Sequence, residues 1–498
     1  MESKQESEIS ISGEALSKQY CTGCHMYPEP GLLDKNTWQF GVLPQMAYRF
    51  GIYNEQARSS LIEKGQGGQL VEQGHIFPSE QILTDQEWEL IQNFYHENAP
   101  DKLTIPAKEI NMNIEGLEVR IPDFHVAPAM ITAIAFNKET NEVYVADTKP
   151  EYSAINILDR KLNSKSTLAL PSPISHLSYK ADTIIATLMG SFMPSDAPSG
   201  SLIKIFKRPG ESEYKGFVSM IKGLQRPVQT TLTDINNDKL EDVIICEFGN
   251  HTGKLSLFVK QKNGQYDKRV LSKDPGAVAV QIIDLNKDGL KDIIVLISQG
   301  RERIEAHYNL GDKGFESRIL LDFPASYGSA SFSMLDWNND GFEDIIYVNG
   351  DNADYSRSLK PYHGLRIYLN DGKNNFKEAF FQHQDGAYKA IAKDFDKDGD
   401  IDISLISYFP NLKDSPEEGY IFMENIGKGE KFKFKLRSFE QAAQGRWLVM
   451  ESVDLGNRRG QGLLLGSFTG MAINEDESGE IAQDFAKKSP SLMLLNFD

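Results

Sequence analysis

The sequence predicts a small all-α domain followed by an all-β propeller of seven blades, and three observations carry that expectation. Apolar residues in the first hundred positions recur at helical spacing, as in Trp88, Ile91 and Tyr95. Beyond Pro106 the pattern changes to short alternating runs such as Glu118-Val119-Arg120-Ile121 and Val143-Tyr144-Val145-Ala146, which read as strands. From there to the C-terminus the chain repeats itself every 45–60 residues or so, a period of propeller blades or solenoid turns. At 498 residues the chain also exceeds what one growing core accommodates.

Residues 1–12 are polar, contain no apolar signal core and are expected to be unstructured. The helical domain is placed at 13–105. Its helices are expected over Gly13–Tyr20, Trp38–Phe50, Asn54–Lys64 and from Thr84-Asp85 through Tyr95, with Ala99-Pro100 ending the last. Residues 106–125 read as a linker with a possible first propeller strand, and 126–498 as the propeller. Four repeats are strong: DINNDKLEDVIIC from Asp234, DLNKDGLKDIIVL from Asp284, DWNNDGFEDIIYV from Asp336 and DFDKDGDIDISLI from Asp394. Weaker copies without the acidic loop begin near Ile131, Ile174 and Leu448, giving seven blades.

Composition narrows the function. Hydrophobic residues at 40% and charged residues at 25% suit a folded globular chain. A net charge of -18 argues against nucleic acid, which requires a basic surface, and fits bound cations better. No stretch of about twenty apolar residues is present to span a bilayer. Three cysteines exclude a disulfide scaffold. Cys246, inside the apolar run Val243–Cys246, reads as a buried inert thiol.

Cys21-Thr22-Gly23-Cys24-His25 has the C-x-x-C-H form. In it two thiols add to the haem vinyl groups and the adjacent histidine ligates the iron, which makes Cys21, Cys24 and His25 the expected heme c attachment set. A structural zinc site would need a second ligand pair, and a redox dithiol a strand–helix setting. Met46 is the candidate sixth ligand, with His75 and His96 behind it and a gap-filling core methionine as the bland reading. The stretch from Gly13 to about Pro100 resembles small c-type cytochromes, in CTGCH, in Trp38, Val42 and Met46 at four-residue spacing, and in the closing helix around Trp88–Tyr95. The resemblance implies that His25 and Met46 are the axial pair and that the closing helix packs across the first.

Each strong repeat has the form D-x-[DN]-x-D-x-x-x-D. The proposed cation ligands are Asp234, Asn236, Asp238 and Asp242; Asp284, Asn286, Asp288 and Asp292; Asp336, Asn338, Asp340 and Asp344; and Asp394, Asp396, Asp398 and Asp402. Calcium (Ca2+) takes six to eight oxygens at about 2.3–2.6 Å, and alternate residues of a tight loop can turn side chains to one centre. The bland reading is a set of solvated turns. An EF-hand is excluded, because position twelve is Ile245, Val295, Tyr347 or Leu405 rather than glutamate. The turn glycine is present as Gly289, Gly341 and Gly399, with Lys239 in its place in the first loop. These loops resemble FG-GAP or VCBS repeats of integrin-type propellers, and the resemblance implies structural calcium. The loop from Asp454 departs from the pattern, and Arg458 or Arg459 is a candidate fixed positive charge there.

The expected function is extracytoplasmic haem c electron transfer, with a calcium-stabilised propeller that docks a redox partner protein or a ligand. One alternative is a propeller dehydrogenase that passes electrons from a sugar or alcohol to the haem. Another is an adhesion or assembly module carrying the haem domain as passenger. Only Trp337 and Trp447 lie in the propeller, against the blade-by-blade tryptophans of quinoprotein dehydrogenases, and no nucleophile–base set stands out, so an electron carrier is favoured over an enzyme. The polar stretch Asn349–Tyr355, with Pro361–Arg366 after it, reads as a binding loop. The whole chain resembles fused cytochrome and FG-GAP proteins of bacterial cell envelopes. That implies a periplasmic or cell-surface location, an outer-membrane or cell-surface assembly as partner, and in some relatives a lipoprotein anchor upstream of a polar stretch like residues 1–12.

Overall fold

The computed structural model describes residues 12–54, 56–211, 213–353, 355–356, 358–427, 432–456, 462–470 and 479–497. The expectations for residues 1–11 and for Arg458 and Arg459 fall outside them. Among the described residues, no helix is long and apolar enough to cross a membrane.

Seven four-stranded antiparallel sheets follow one another around a ring. Blade 1 begins with the strand Ile131–Asn137, blade 2 with Ile174–Lys180, blade 3 with Pro227–Thr233, blade 4 with Ala277–Ile283, blade 5 with Ser329–Leu335, blade 6 with Ala387–Lys393 and blade 7 with Trp447–Val453. These first strands lie against one another and form the inner wall. The second strands, such as Asp242–Glu247 and Asp292–Ile297, are buried along their whole length, which is why they read as continuous apolar runs rather than alternating ones. Seven apolar clusters sit between blades. One joins Ile244 and Leu257 of blade 3 to Val280 and Ile293 of blade 4, and another joins Leu464 and Leu494 of blade 7 to Ile131 and Val143 of blade 1. The last of these closes the ring, so the repeat is a seven-bladed β-propeller and not an open solenoid.

Closure uses the two ends of the β-rich region. The strand Leu117–Arg120 pairs with Leu492–Phe497 as the outermost strand of blade 7. The segment before it runs along blade 6, where Asn111 N donates to Leu436 O (2.9 Å) and Ser438 N to Asn111 O (2.9 Å). Lys108, nearly buried, pairs with Glu418.

The helical region contains α1 (Gly13–Cys21), α2 (Leu43–Arg49), α3 (Gln66–Gln73) and α4 (Asp85–Asn98). A π-helical turn, Thr37–Val42, leads into α2, and Asp34 receives its Thr37 N–H (2.9 Å). Leu16, Trp38, Leu43, Trp88, Ile91 and Tyr95 form the core. Helices α1 and α4 cross at Gly13, where a Cβ would stand 2.0 Å from Leu90 O. The helix expected over Asn54–Lys64 is corrected by the structure. Only a 3-10 turn, Arg58–Ser60, forms there, and the helix lies further on as α3. Its Gly67 and Gly68 mask it in sequence because glycine disfavours helix. They are tolerated because a Cβ on Gly68 would meet Glu63 O at 1.8 Å.

One buried acid makes the propeller sensitive to pH. Glu302, between the second and third strands of blade 4, is 2% exposed and accepts from Ser329 N (2.8 Å) and Gly328 N (3.2 Å). Burial pushes its pKa up to about 8 despite these bonds. A carboxyl raised on folding contributes stability below its unfolded pKa, about 4.3, that is lost as pH rises through the folded one. Unfolding in urea should therefore become easier from about pH 4.3 to about pH 8, and Glu302→Gln should flatten that slope. An unchanged slope in the glutamine variant would assign it to another group.

Candidate functional site

Successive loops of an antiparallel blade alternate between the two faces of the ring, and the chain places different chemistry on each. The helical domain rests on loops that join second to third strands: 189–199 of blade 2, 248–253 of blade 3, 298–302 of blade 4 and 350–363 of blade 5. Glu63 accepts from Ser195 Oγ (2.8 Å) and Asp196 N (2.6 Å). Arg49 Nη2 donates to His251 Nδ1 (3.1 Å), and Tyr362 donates to Leu32 O (2.9 Å). Gly41 lies so close to Tyr355 O that a Cβ would stand 2.3 Å away. The stretch expected to bind a ligand thus holds the chain's own helical domain. Asn349 is buried and donates to Tyr327 O (3.0 Å) and Tyr362 O (3.1 Å), and His363 is fully buried. Asp354 lies outside the described residues.

Cys21 ends α1, and Cys24 and His25 follow in a turn against the propeller, where a Cβ on Gly300 would stand 4.0 Å from Cys24 O. Both thiols are free; Cys24 is exposed and Cys21 half-buried, its pKa pushed up to about 11 by burial. His25 Nδ1 lies 2.8 Å from Met26 O. A carbonyl only accepts, so Nδ1 carries a hydrogen, and in the neutral ring that leaves the lone pair on Nε2, the tautomer a metal-ligating imidazole needs. Met46, on α2, is half-buried against the domain core, whereas His75 and His96 are exposed. Met26 and Phe40 are exposed, Phe40 to 73%, apolar surface of the kind a prosthetic group could cover. The donor set and its surroundings fit a covalent haem.

The four acidic loops join first to second strands, on the opposite face. Position nine of each is wholly buried: Asp242, Asp292, Asp344 and Asp402. In blade 4, Asp292 Oδ2 accepts from Leu285 N (3.0 Å) and Oδ1 from Asn309 N (2.8 Å), which ties the loop to the third strand. Asp242, Asp344 and Asp402 make the same pair of bonds, to Ile235 and Lys260, Trp337 and Asn370, and Phe395 and Asn425. The ninth position therefore has a folding role that ligand spacing alone did not reveal. Position one caps the turn, as Asp284 Oδ1 and Oδ2 accept from Asp288 N (3.0 Å) and Gly289 N (2.8 Å), with the same arrangement at Asp234 and Asp336. Asn236, Asn286 and Asn338 hold the fifth-position carboxylates of Asp238, Asp288 and Asp340 at 3.0, 2.9 and 2.9 Å.

In blade 6 carboxylate oxygens of Asp394, Asp396 and Asp398 lie within 4.8 Å of one another. Burial, with neighbouring carboxylates adding, pushes Asp400 up to about 6; burial also lifts Asp402 to about 7. That crowding of acids fits a cation. Lys239 adopts φ 69° where Gly289, Gly341 and Gly399 stand in the other loops. Lys239→Gly should stabilise the protein by about 0.5–1 kcal/mol, seen as a higher urea midpoint.

Blade 1 shows what sequence reading missed. Its turn from Asn137 to Glu142 is too short to surround a cation, yet Glu142 stands where the ninth aspartate stands elsewhere. It is buried and meets Lys165 and, at 3.7 Å, Lys207 of blade 2. Burial opposes its charge, but these ammonium groups and Tyr214 hold it below the usual carboxylate range. A protein cation occupies the place given to acids and turns elsewhere; distance in sequence hid the pairing. Cys246 is buried, and burial pushes its thiol up.

Among solved structures the chain is similar to a catalytically inactive virginiamycin B lyase from Staphylococcus aureus with quinupristin, at 9% identity and TM-score 0.46 over 77% of this chain and 100% of that one. It is similar also to a streptogramin B lyase, at 11% identity and TM-score 0.45 over 77% and 98%. A protein from Lactobacillus plantarum matches at 9% identity and TM-score 0.41 over 62% and 85%. No curated protein matches the sequence. Residues 234–295 and 284–347 match the FG-GAP-like repeat, and the chain is a seven-bladed β-propeller carrying such repeats.

Proposed function

We propose that the chain is an extracytoplasmic haem c electron-transfer protein whose calcium-stabilised propeller docks a redox partner. The observation that carries this reading is CTGCH at the end of α1, with His25 Nε2 left bare and the motif facing the propeller loops. A covalently held haem supplies a one-electron couple. Cys21 and Cys24 would hold it, His25 would ligate through Nε2, and Met46 is the candidate second axial ligand. Calcium in the four acidic loops would offset their charge on the face away from the helical domain. That face and the outer strands are left for a partner, since the opposite loops carry the helical domain.

The test is an optical spectrum, oxidised and then dithionite-reduced, of protein matured in an extracytoplasmic haem-loading host. A c-type spectrum is expected, and the weak long-wavelength band of methionine-ligated ferric haem would support Met46. Absence of covalent haem would sink the reading. Reduction by a sugar or alcohol alone would replace the carrier with a dehydrogenase.

A further inference from the structure

The outer strand of a blade presents free N–H and C=O groups along one edge, and such an edge pairs with another chain unless charges discourage it. Blades 3, 4 and 5 carry those charges in the middle of their outer strands, as Asp267, Lys268 and Arg269, as Glu316 and Arg318, and as Lys377 and Glu378. In blade 6 the outer strand is met by Asn111. Blade 2 departs from its neighbours. Its outer strand, Tyr214–Leu224, is 11 residues long, whereas the outer strands of blades 4 and 5 have 8, and from Gly216 to Ile221 it carries no charge. Within that stretch Phe217 is 52% and Val218 50% exposed, and as adjacent residues they point to opposite sides of the sheet. Beside the strand a groove of about 490 Å³ opens between blades 2 and 3, lined by Met220 and Ile221 of the same strand and by Phe258, Gln265 and Tyr266 of blade 3.

The charges lie towards the ends of this edge. Glu211 and Glu213 precede the apolar stretch and Lys222 follows it, all three exposed. Lys215 meets Glu213 at 3.1 Å in an exposed pair of the kind that contributes little, and Arg208 stands nearby across the turn. Lys222 has no ion pair among the described residues. A second copy laid antiparallel, about a two-fold axis near Phe217 and Val218, sets apolar against apolar at the centre and Lys222 of each chain towards Glu213 of the other. A parallel copy would set glutamate on glutamate and lysine on lysine, which repel. The pattern is therefore complementary to itself in one direction only.

We propose that the protein pairs with a second copy of itself through this edge, so that blade 2 of one ring and blade 2 of the other form one continuous antiparallel sheet. The copy's apolar side chains then come to the Met220 rim of the groove and take it out of water. Pairing of this kind needs neither haem nor calcium chemistry. One strand edge buries less than a standard interface, so the pair should come apart on dilution.

Sedimentation velocity of the full-length protein over a range of concentrations should show a monomer–dimer equilibrium. Val218→Lys, at a position where a long side chain can reach water, should weaken association about tenfold or more, because like charges would meet at the axis. Lys222→Glu should weaken it too, and adding Glu213→Lys to that variant should restore it, a recovery that a chance apolar contact would not show. Ile319→Lys, at an exposed apolar position on the outer strand of blade 4, should leave association unchanged. Amide exchange across Gly216 to Ile221 should slow in the parent as its concentration rises. A parent that stays monomeric at every concentration would leave the edge to another protein or to solvent and overturn the inference, and so would a dimer indifferent to both Val218→Lys and Lys222→Glu. Should Val218→Lys not fold, the charge exchange between Lys222 and Glu213 decides.

Discussion

Asp292→Ala is expected to destabilise the propeller by about 2–6 kcal/mol, because two backbone N–H groups, those of Leu285 and Asn309, lose their acceptor in a buried place and each stranded group costs about 1–3 kcal/mol. The loss should persist in excess chelator, since it arises from the protein's own hydrogen bonds. Asp288→Ala is the informative contrast. Asp288 is exposed and, among the described residues, its carboxylate hydrogen-bonds only within its own loop, to Leu290 N and Asn286. Under the calcium reading its removal should lower the unfolding temperature in calcium and change little in chelator. Urea unfolding of both variants with and without chelator separates the two roles. If Asp292→Ala matched the parent in chelator, the stapling role would be refuted.

Gly13→Ala is the second large effect, and its sign is unusual. Alanine is favoured over glycine by about 1 kcal/mol inside a helix, so propensity alone forecasts a gain. The added Cβ would stand 2.0 Å from Leu90 O and 2.9 Å from Phe94 Cβ, so α1 and α4 must part. Overpacking of this kind costs about 1–3 kcal/mol or more, and the variant should lose stability overall. Near-ultraviolet circular dichroism on heating would record the helical domain melting earlier than in the parent. Since Cys21 ends the same helix, under the haem reading the yield of covalent haem should fall with it. A stabilised variant would mean that the helices do not cross as closely as described.

The legible parts of the sequence are those where one local pattern is tied to one structural job. The loops from Asp234, Asp284, Asp336 and Asp394 announced their blades because an acidic turn is followed at once by a fully buried strand. Blades 1 and 2 were faint because Asn137 and Glu142, or Lys180 and Thr183, close a much shorter hairpin. The last helix was readable from the apolar spacing of Trp88, Ile91 and Tyr95, and the structure adds a capping box of Thr84 with Glu87, whereas α3 was hidden by glycines whose purpose lies in what they touch. Nothing in the sequence could bring Arg49 to His251, or Glu142 to Lys207, because those meetings are made by the ring. The enlarged loop after Asn349 was found as a feature but not in its use, since its partner is another part of the same chain.

The pairing of Leu117–Arg120 with Leu492–Phe497 has a bearing on how the molecule is made. The first hundred residues leave the ribosome while the ring is still open. The circle is sealed only when the final strand arrives, nearly four hundred residues later, so assembly depends on a contact of very long sequence separation. Until then the waiting strand keeps a bare edge, and a chain halted within the last blade offers that edge to its neighbours as a template for clumping.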